Sequence, residues 1–333
     1  MQKGAQYQAV WELISEIFKD KIPADNIINA YVRERKYIGS KDRRFITETV
    51  WKIIRNRRKL VFDAGSNEPR RVLLTYLQDE DFDLLCGGEY GLAPLSKEEK
   101  EWLKRRNEGV YPAAVEAECP DWLFDKDIHL LKALNEPASA DLRLNKGSRA
   151  RVIEQLQGEG LYFVPTPYSP IGIRSAERVN LNNCVAYKEG VIEVQDEASQ
   201  LAAILADVRP EHKIIDYCCG AGGKSLTMAF LMNRQGKIQI HDINRSRLEA
   251  VKERAVRLDV KNLEIIDEVG DRDYDRFVVD APCSGTGTWR RSPDAKYRLT
   301  PETLKELNKT QAELLEKAFN HIRRGGRVVY ITC

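Results

Sequence analysis

Apolar residues in the first third of the chain recur at helical spacing. Ala9, Val10, Leu13, Ile14, Ile17 and Phe18 form one stripe. Phe45, Ile46, Thr49, Val50, Ile53 and Ile54 form a second, behind Ser40-Lys41-Asp42 as a start signal. Gly87-Gly88, Gly91, Pro94 and Pro112 then break the pattern, and Cys119-Pro120 precedes a helical stretch from Trp122 to Leu134. Over residues 138–195 the period shortens. Ala140 to Asn145 alternates as a strand, Arg149 to Gln157 reads as a short helix, and Gly160 to Val164 is strand-like. Pro165, Pro167 and Pro170 interrupt, and Ile171–Arg174 and Val191–Val194 are further short strands. The span reads as a small α+β module.

The last 140 residues alternate strand and helix. The predicted strands are His212 to Cys218, Lys237 to Asp242, Leu263 to Asp267, Arg276 to Asp280 and Arg327 to Cys333. Helices are expected over Ser225–Met232, Arg245–Leu258 and from Thr300-Pro301 to a stop at Gly325-Gly326. This order predicts a doubly wound, mainly parallel sheet. Ligands of such sheets sit beyond the carboxyl ends of the strands. Asp216, Asp242, Asp267, Asp280 and Cys333 all fall at or just past such ends.

At 333 residues the chain has room for two or three domains. It is 42% hydrophobic and 31% charged, with no apolar run long enough for a membrane span and no secretory leader at Met1. Seven cysteines without a C-x-x-C pair argue against a disulfide scaffold, a zinc site or a thioredoxin-like site. Reduced thiols, a cytoplasmic monomer and no bound metal are therefore expected. The formal charge of +2 hides an asymmetry, because residues 31–60 hold eleven Lys and Arg against three acids, a local sum of +8. Such a run suits a phosphate backbone, but taken alone it reads more often as a solvated helix face. Tyr31, Tyr37, Phe45 and Trp51 within it read as packing residues rather than base-stacking ones.

The turn Cys218-Cys-Gly-Ala-Gly-Gly-Lys224 lets backbone approach a ligand at a helix start. Asp242 follows Gly222 by 20 residues, the place of a ribose-binding carboxylate. Nicotinamide and S-adenosylmethionine sites both fit. A P-loop fits less well, since its first glycine would fall on Cys218. The cysteines narrow the choice. Asp280-Ala-Pro-Cys283 and Thr332-Cys333 close two strands, so two thiols and an acid stand at the ligand end. That set suits a thiolate adding to C6 of cytosine, an acid near N3, and a base that removes the C5 proton.

Three segments resemble the RsmB/Nop-type RNA (cytosine-5) methyltransferases in their bacterial ribosomal-RNA form. They are Asp216-Tyr-Cys-Cys-Gly-Ala-Gly-Gly-Lys-Ser225, Asp280-Ala-Pro-Cys-Ser-Gly-Thr-Gly-Thr-Trp-Arg-Arg-Ser-Pro-Asp294 and Tyr330-Ile-Thr-Cys333. The resemblance is strong over about 195–333. More loosely, Lys41-Asp-Arg-Arg-Phe-Ile-Thr-Glu-Thr-Val-Trp51 is similar to that family's NusB-like helical domain. It implies a helical RNA-binding domain over 1–115, a small α+β (RRM-like) module over 116–194, and a Rossmann-like S-adenosylmethionine methyltransferase core over 195–333. That core would end at the Thr-Cys motif with its last strands missing, which would lower activity. The resemblance further implies Cys333 as nucleophile, Cys283 for product release and Asp280 facing the cytosine and the cofactor. The cofactor would lie against Cys218, Cys219, Gly220, Ala221, Gly222, Gly223 and Lys224, with Asp242 on the ribose and Asp267 near the adenine. Arg290, Arg291, Arg43 and Arg44 are candidates for RNA phosphates. Ribosomal RNA is the implied partner. The family's commoner turn has Ala-Ala-Pro where this chain has Cys219-Gly220-Ala221. Methylation of transfer RNA, a non-catalytic RNA-binding protein and a methyltransferase for protein or small molecules are the competing readings.

Overall fold

The computed structural model describes residues 1–78, 80–104, 109–124, 127–176, 179–271 and 273–333. Contacts divide the chain into two compact units that cut across the three sequence-drawn spans. One comprises Met1–Pro137, Ser284–Leu304 and Cys333, the other Ala138–Cys283 and Lys305–Thr332.

The first unit is built on helices α1 (Lys3–Ile17), α2 (Ala24–Glu34), α3 (Ser40–Arg55), α4 (Arg57–Ala64) and α5 (Pro69–Tyr76). Both predicted stripes turn inward, and Val10, Ile14, Ile46, Val50 and Ile53 are fully buried together. Burying each such side chain is worth about 1.5–3 kcal/mol. The stretch expected from Trp122 to Leu134 is a short turn, Asp121–Leu123, and a separate helix, Ile128–Asn135; Asp125 and Lys126 lie outside the described residues.

The segment Ser284–Leu304 packs into this unit through buried polar contacts. The Arg55 guanidinium donates to the carbonyls of Asn135 (2.8 Å) and Arg290 (2.6 Å). Asp294 accepts from the Ala24 N–H at 2.9 Å. Lys296, 1% exposed, donates to the Glu118 carbonyl (2.9 Å) and to Asn135 Oδ1 (2.8 Å). Glu118 in turn accepts the N–H groups of Arg58 and Lys59 at the start of α4, at 2.9 and 3.0 Å.

The second unit carries two sheets. The strands are β1 (Ala140–Leu144), β2 (Val164–Pro165), β3 (Gly172–Ser175), β4 (Ile192–Val194), β5 (Lys213–Asp216), β6 (Lys237–Ile240), β7 (Leu263–Ile265), β8 (Tyr274–Asp280) and β9 (Ile322–Ile331). The small sheet is antiparallel in the order β2-β3-β1-β4, and the larger is parallel in the order β7-β6-β5-β8-β9. Gly160 to Phe163 lie outside β2, whose paired part is only Val164–Pro165. The Rossmann-like core expected for this half is thus present, and the order reverses direction between β5 and β8. Ile214, Ile238, Ile240 and Val278 make its sheet core with Leu226, Met228, Leu248 and Val251 from the helices.

One expectation fails at the end of the long helix Pro301–His321. Gly325-Gly326 does not separate helix from strand, because β9 starts directly at Ile322. The register breaks there instead. Tyr274 pairs with Ile322, and the next paired residue, Arg276, faces Arg327. Gly325 has φ +80°, and a Cβ on Gly326 would lie 2.8 Å from the Tyr274 carbonyl oxygen. The glycines therefore make a bulge that shifts the strand in register.

Candidate active site

The larger sheet gathers its acids at one rim. β5 ends on Asp216, which is wholly buried and accepts from Ser225 Oγ at 2.6 Å. Its second oxygen has no hydrogen-bond partner, and burial pushes its carboxyl up to about 6. Next comes the glycine turn. Gly222 adopts φ +75°, and a Cβ there would come within 2.8 Å of Val251 Cγ1. No other residue fits a left-handed position packed that closely on a neighbouring helix. The helix Gly223–Leu231 starts directly after it.

Asp242, just past β6, fixes this turn. One of its oxygens accepts the Gly220 N–H and the other the Asn244 N–H, both at 2.8 Å. Lys224 reaches across the point where the strand order reverses, and its Nζ donates to Asp280 Oδ2 at 2.6 Å. The Tyr217 and His241 rings stack at 4.3 Å, and Lys317 donates to the Tyr217 hydroxyl at 2.8 Å. Beside Asp242, Ile243 is 95% exposed.

The remaining expected site residues fall as follows. Asp267 is exposed and paired with Arg245 at 2.5 Å. Cys218 and Cys219 sit in the turn, where burial and the neighbouring acids push the Cys218 thiol up to about 12 and Cys219 higher still. Both are held as thiols, which disfavours them as nucleophiles. Cys283 is half-buried, three residues past β8 and in the second unit. Cys333 is exposed and clusters with the first unit, where its backbone carbon would lie 3.2 Å from a Cβ on Gly287 and its carbonyl accepts from Thr286 Oγ1 at 3.5 Å. Asp280 pairs with Ile331 in the β8–β9 register, so Cys283 and Cys333 follow adjacent parallel strands.

The arginine candidates behave differently from one another. Arg43 and Arg44 are exposed on α3, Arg44 beside Glu48 at 2.8 Å. Arg290 donates to the carbonyls of Glu136 (3.3 Å) and Pro137 (2.8 Å), a structural role within its unit. Arg291 is exposed.

Sequence reasoning missed three residues here. Ile243 was detectable as a large apolar residue inside a polar turn. Arg254 donates to the Ala221 carbonyl, and its Nε also pairs with buried Glu193 at 3.4 Å. Nothing in an exposed-looking helix marks that reach. Gln195 accepts from Thr227 Oγ1 at 2.7 Å and leaves its buried Nε2 without a partner. Among the described residues no group of three His, Cys, Asp or Glu could hold a metal ion. No described helix is long and apolar enough to cross a membrane.

Comparison with known proteins gives this arrangement a context. Residues 202–333 match the family model for the 16S rRNA methyltransferases RsmB/F. A probable ribosomal RNA small subunit methyltransferase B of Bacillus subtilis is 29% identical over 239 residues, 66% of this chain and 53% of that one. One from Synechocystis is 32% identical over 234 residues, covering 64% and 52%. The chain thus spans about half the length of the relatives it matches. In fold, the crystal structure of PH0851 superposes with a TM-score of 0.77 at 20% identity, over 98% of this chain and 85% of that one. NSun6 from Pyrococcus horikoshii, solved with SFG, gives a TM-score of 0.54 at 20% identity over 61% and 77%.

Proposed function

Residues 202–333 are an RsmB/F-type methyltransferase domain, and from that premise we propose that the chain methylates C5 of a cytosine in ribosomal RNA with S-adenosylmethionine. The residues at the rim fit that cofactor. The Gly220–Gly222 turn offers close backbone, Asp242 keeps free lone pairs for ribose hydroxyls, and Ile243 presents an apolar face beside them. Asp267 lies two residues past β7, and its carboxylate would take the adenine end of the cofactor. SFG, an analogue of S-adenosylmethionine, is held by the structurally similar NSun6.

Bound S-adenosylmethionine supplies an electrophilic methyl group. The chain's own residues make cytosine able to accept it. The Cys333 thiolate adds to C6, and the C5–C6 electron pair turns C5 into a nucleophile. The Lys224–Asp280 pair offsets the charge that develops toward N3, with the ammonium as the proton-rich partner. C5 takes the methyl group as its bond to the cofactor's sulfur breaks and the demethylated thioether leaves; the Cys283 thiolate takes the C5 proton, and the C6–S bond breaks to return Cys333 as thiolate. What supports this reading is the β8–β9 register: Asp280 pairs with Ile331, so the chain runs on to Cys283 and to Cys333 from neighbouring parallel strands. Burial raises the Cys218 and Cys219 thiols, which disfavours those two for the nucleophile's role.

Trapping tests it. Ribosomal RNA containing 5-fluorocytosine should form a denaturation-resistant adduct with the chain, absent in Cys333→Ala. With ordinary RNA, Cys283→Ala should accumulate an adduct that the unaltered chain turns over. An adduct that persists in Cys333→Ala overturns the assignment, and trapping on transfer RNA alone redirects the substrate.

A further inference from the structure

The helical unit holds a groove of about 1210 Å³ between α1, α2 and the Glu89–Ala93 turn. We propose that this groove is a stacking cleft for unpaired RNA nucleotides; the assignment presupposes the RNA substrate proposed above. Its volume exceeds the usual range of about 300–1,000 Å³ for small-molecule pockets, which suits a short run of chain rather than one metabolite.

Its lining is aromatic and unusually bare. Tyr37 is 73% exposed and Tyr90 69% exposed, and both line the groove. Large aromatic faces left in water at one groove are the feature that sequence-tolerant single-strand binders share. Arg35 lies over the Tyr31 ring at 3.7 Å, a second flat surface on the same wall. Trp11 also lines it, and its indole N–H has no hydrogen-bond partner. Tyr37 thereby departs from the packing role expected of it, whereas Phe45 packs edge-on against Tyr7 and Trp51 is buried.

The lining carries both charges, with Arg35 and Arg70 beside the acids, and Arg70 held by Glu99 at 2.6 Å. Glu12, which accepts from the Tyr31 hydroxyl at 2.7 Å, and Glu89 line the groove. Carboxylates there repel phosphate but accept from base amino groups, as in recognition of cytosine N4. Further cations lie near the groove's Met1 end and beside Tyr37. Asp42 binds the Met1 ammonium at 3.0 Å and Gln6 at 2.7 Å, which brings the start of α3 to the groove's Met1–Gln2 side. Exposed Lys41 and Arg43 flank Asp42, and exposed Lys36 adjoins Tyr37. Bare aromatic faces with guanidinium groups and carboxylates beside them offer stacking, phosphate and base-edge contacts together, the set that an unpaired strand uses.

Binding of the full chain to short labelled RNAs, read by fluorescence anisotropy, tests this. Tyr37→Ala/Tyr90→Ala should weaken unpaired RNA by about 5- to 150-fold for each stacked base lost, with duplex binding unchanged. Tyr37→Phe/Tyr90→Phe keeps both ring faces and should bind as the unaltered chain does. Unchanged single-strand binding in the alanine variant, equal losses for duplex, or a phenylalanine variant as weak as the alanine one each overturn the proposal. The trapping experiment is read separately. An adduct without tyrosine-dependent binding removes the cleft alone, and tyrosine-dependent binding without an adduct removes the methyl-transfer reading alone.

Discussion

Asp216 shows how one buried group couples the glycine turn to pH. Its carboxyl is raised from 3.8 to about 6 by burial. Between about pH 4 and 6 the folded chain therefore keeps a proton that the unfolded chain has released, so this group favours folding at low pH and loses that contribution as pH rises through 6. Asp216→Asn mimics the protonated form. Its stability relative to the unaltered chain should rise from pH 4 to pH 6.5, measured as the difference in urea midpoints; a flat difference refutes the burial argument. The strand-end acids were legible in sequence because an apolar run that stops on an aspartate is a strong one-dimensional signal. The reach of Arg254 to Ala221 was not, since it depends on how the helix Arg245–Arg257 lies against the turn. The basic run of residues 31–60 was half legible. Arg33, Lys36, Lys41, Arg43, Arg44 and Lys52 are exposed, whereas Arg55 and Arg57 are buried, Arg57 against Asp20 at 2.7 Å and over Phe18. Charge counting cannot separate a guanidinium that meets solvent from one that closes a core.

At the scale of elements, helix and strand spacing located β1, β5, β6 and β8 and the helices around them to within a few residues. The failures share a cause. Gly325-Gly326 reads as a helix stop because glycine usually is one, yet the same φ > 0 freedom serves a bulge between paired strands. Only the partner strand tells the two apart. Gly326→Ala would place a Cβ 2.8 Å from the Tyr274 carbonyl oxygen and from Ile322 Cγ1, and neither the backbone nor a packed Ile yields readily. Such overpacking should cost about 1–3 kcal/mol, read from denaturant unfolding. The same change at Gly65, whose φ is +60° with nothing within 4 Å, isolates the backbone strain from the clash.

On the scale of the molecule, the division of the chain is the result that no periodicity could announce. Ser284–Leu304 leaves the sheet immediately after Cys283 and clusters with the helices. Its anchor, Lys296, is pushed down to about 8 by burial, against the pull of Glu118 and with the push of Arg55 and Arg58. Between about pH 8 and 10 the unfolded chain holds a proton that the folded chain has lost, so stability from this group rises with pH across that window. Lys296→Met should remove the rise, seen as a melting-temperature difference between the two proteins that changes from pH 8 to pH 10. A pH-independent difference would show that the ammonium is solvated.

The threading of that segment has a consequence for synthesis. The helices that begin the chain leave the ribosome first, but Arg55, Ala24 and the Glu118 carbonyl each have a partner made 235, 270 and 178 positions later, respectively. At about 5–20 residues per second, that gap lasts on the order of ten to fifty seconds. During it the early segments carry an amide and a carbonyl destined for burial whose partners are not yet made, and a guanidinium with the Asn135 carbonyl but not yet that of Arg290. The oldest part of the polypeptide is thus among the last to be finished.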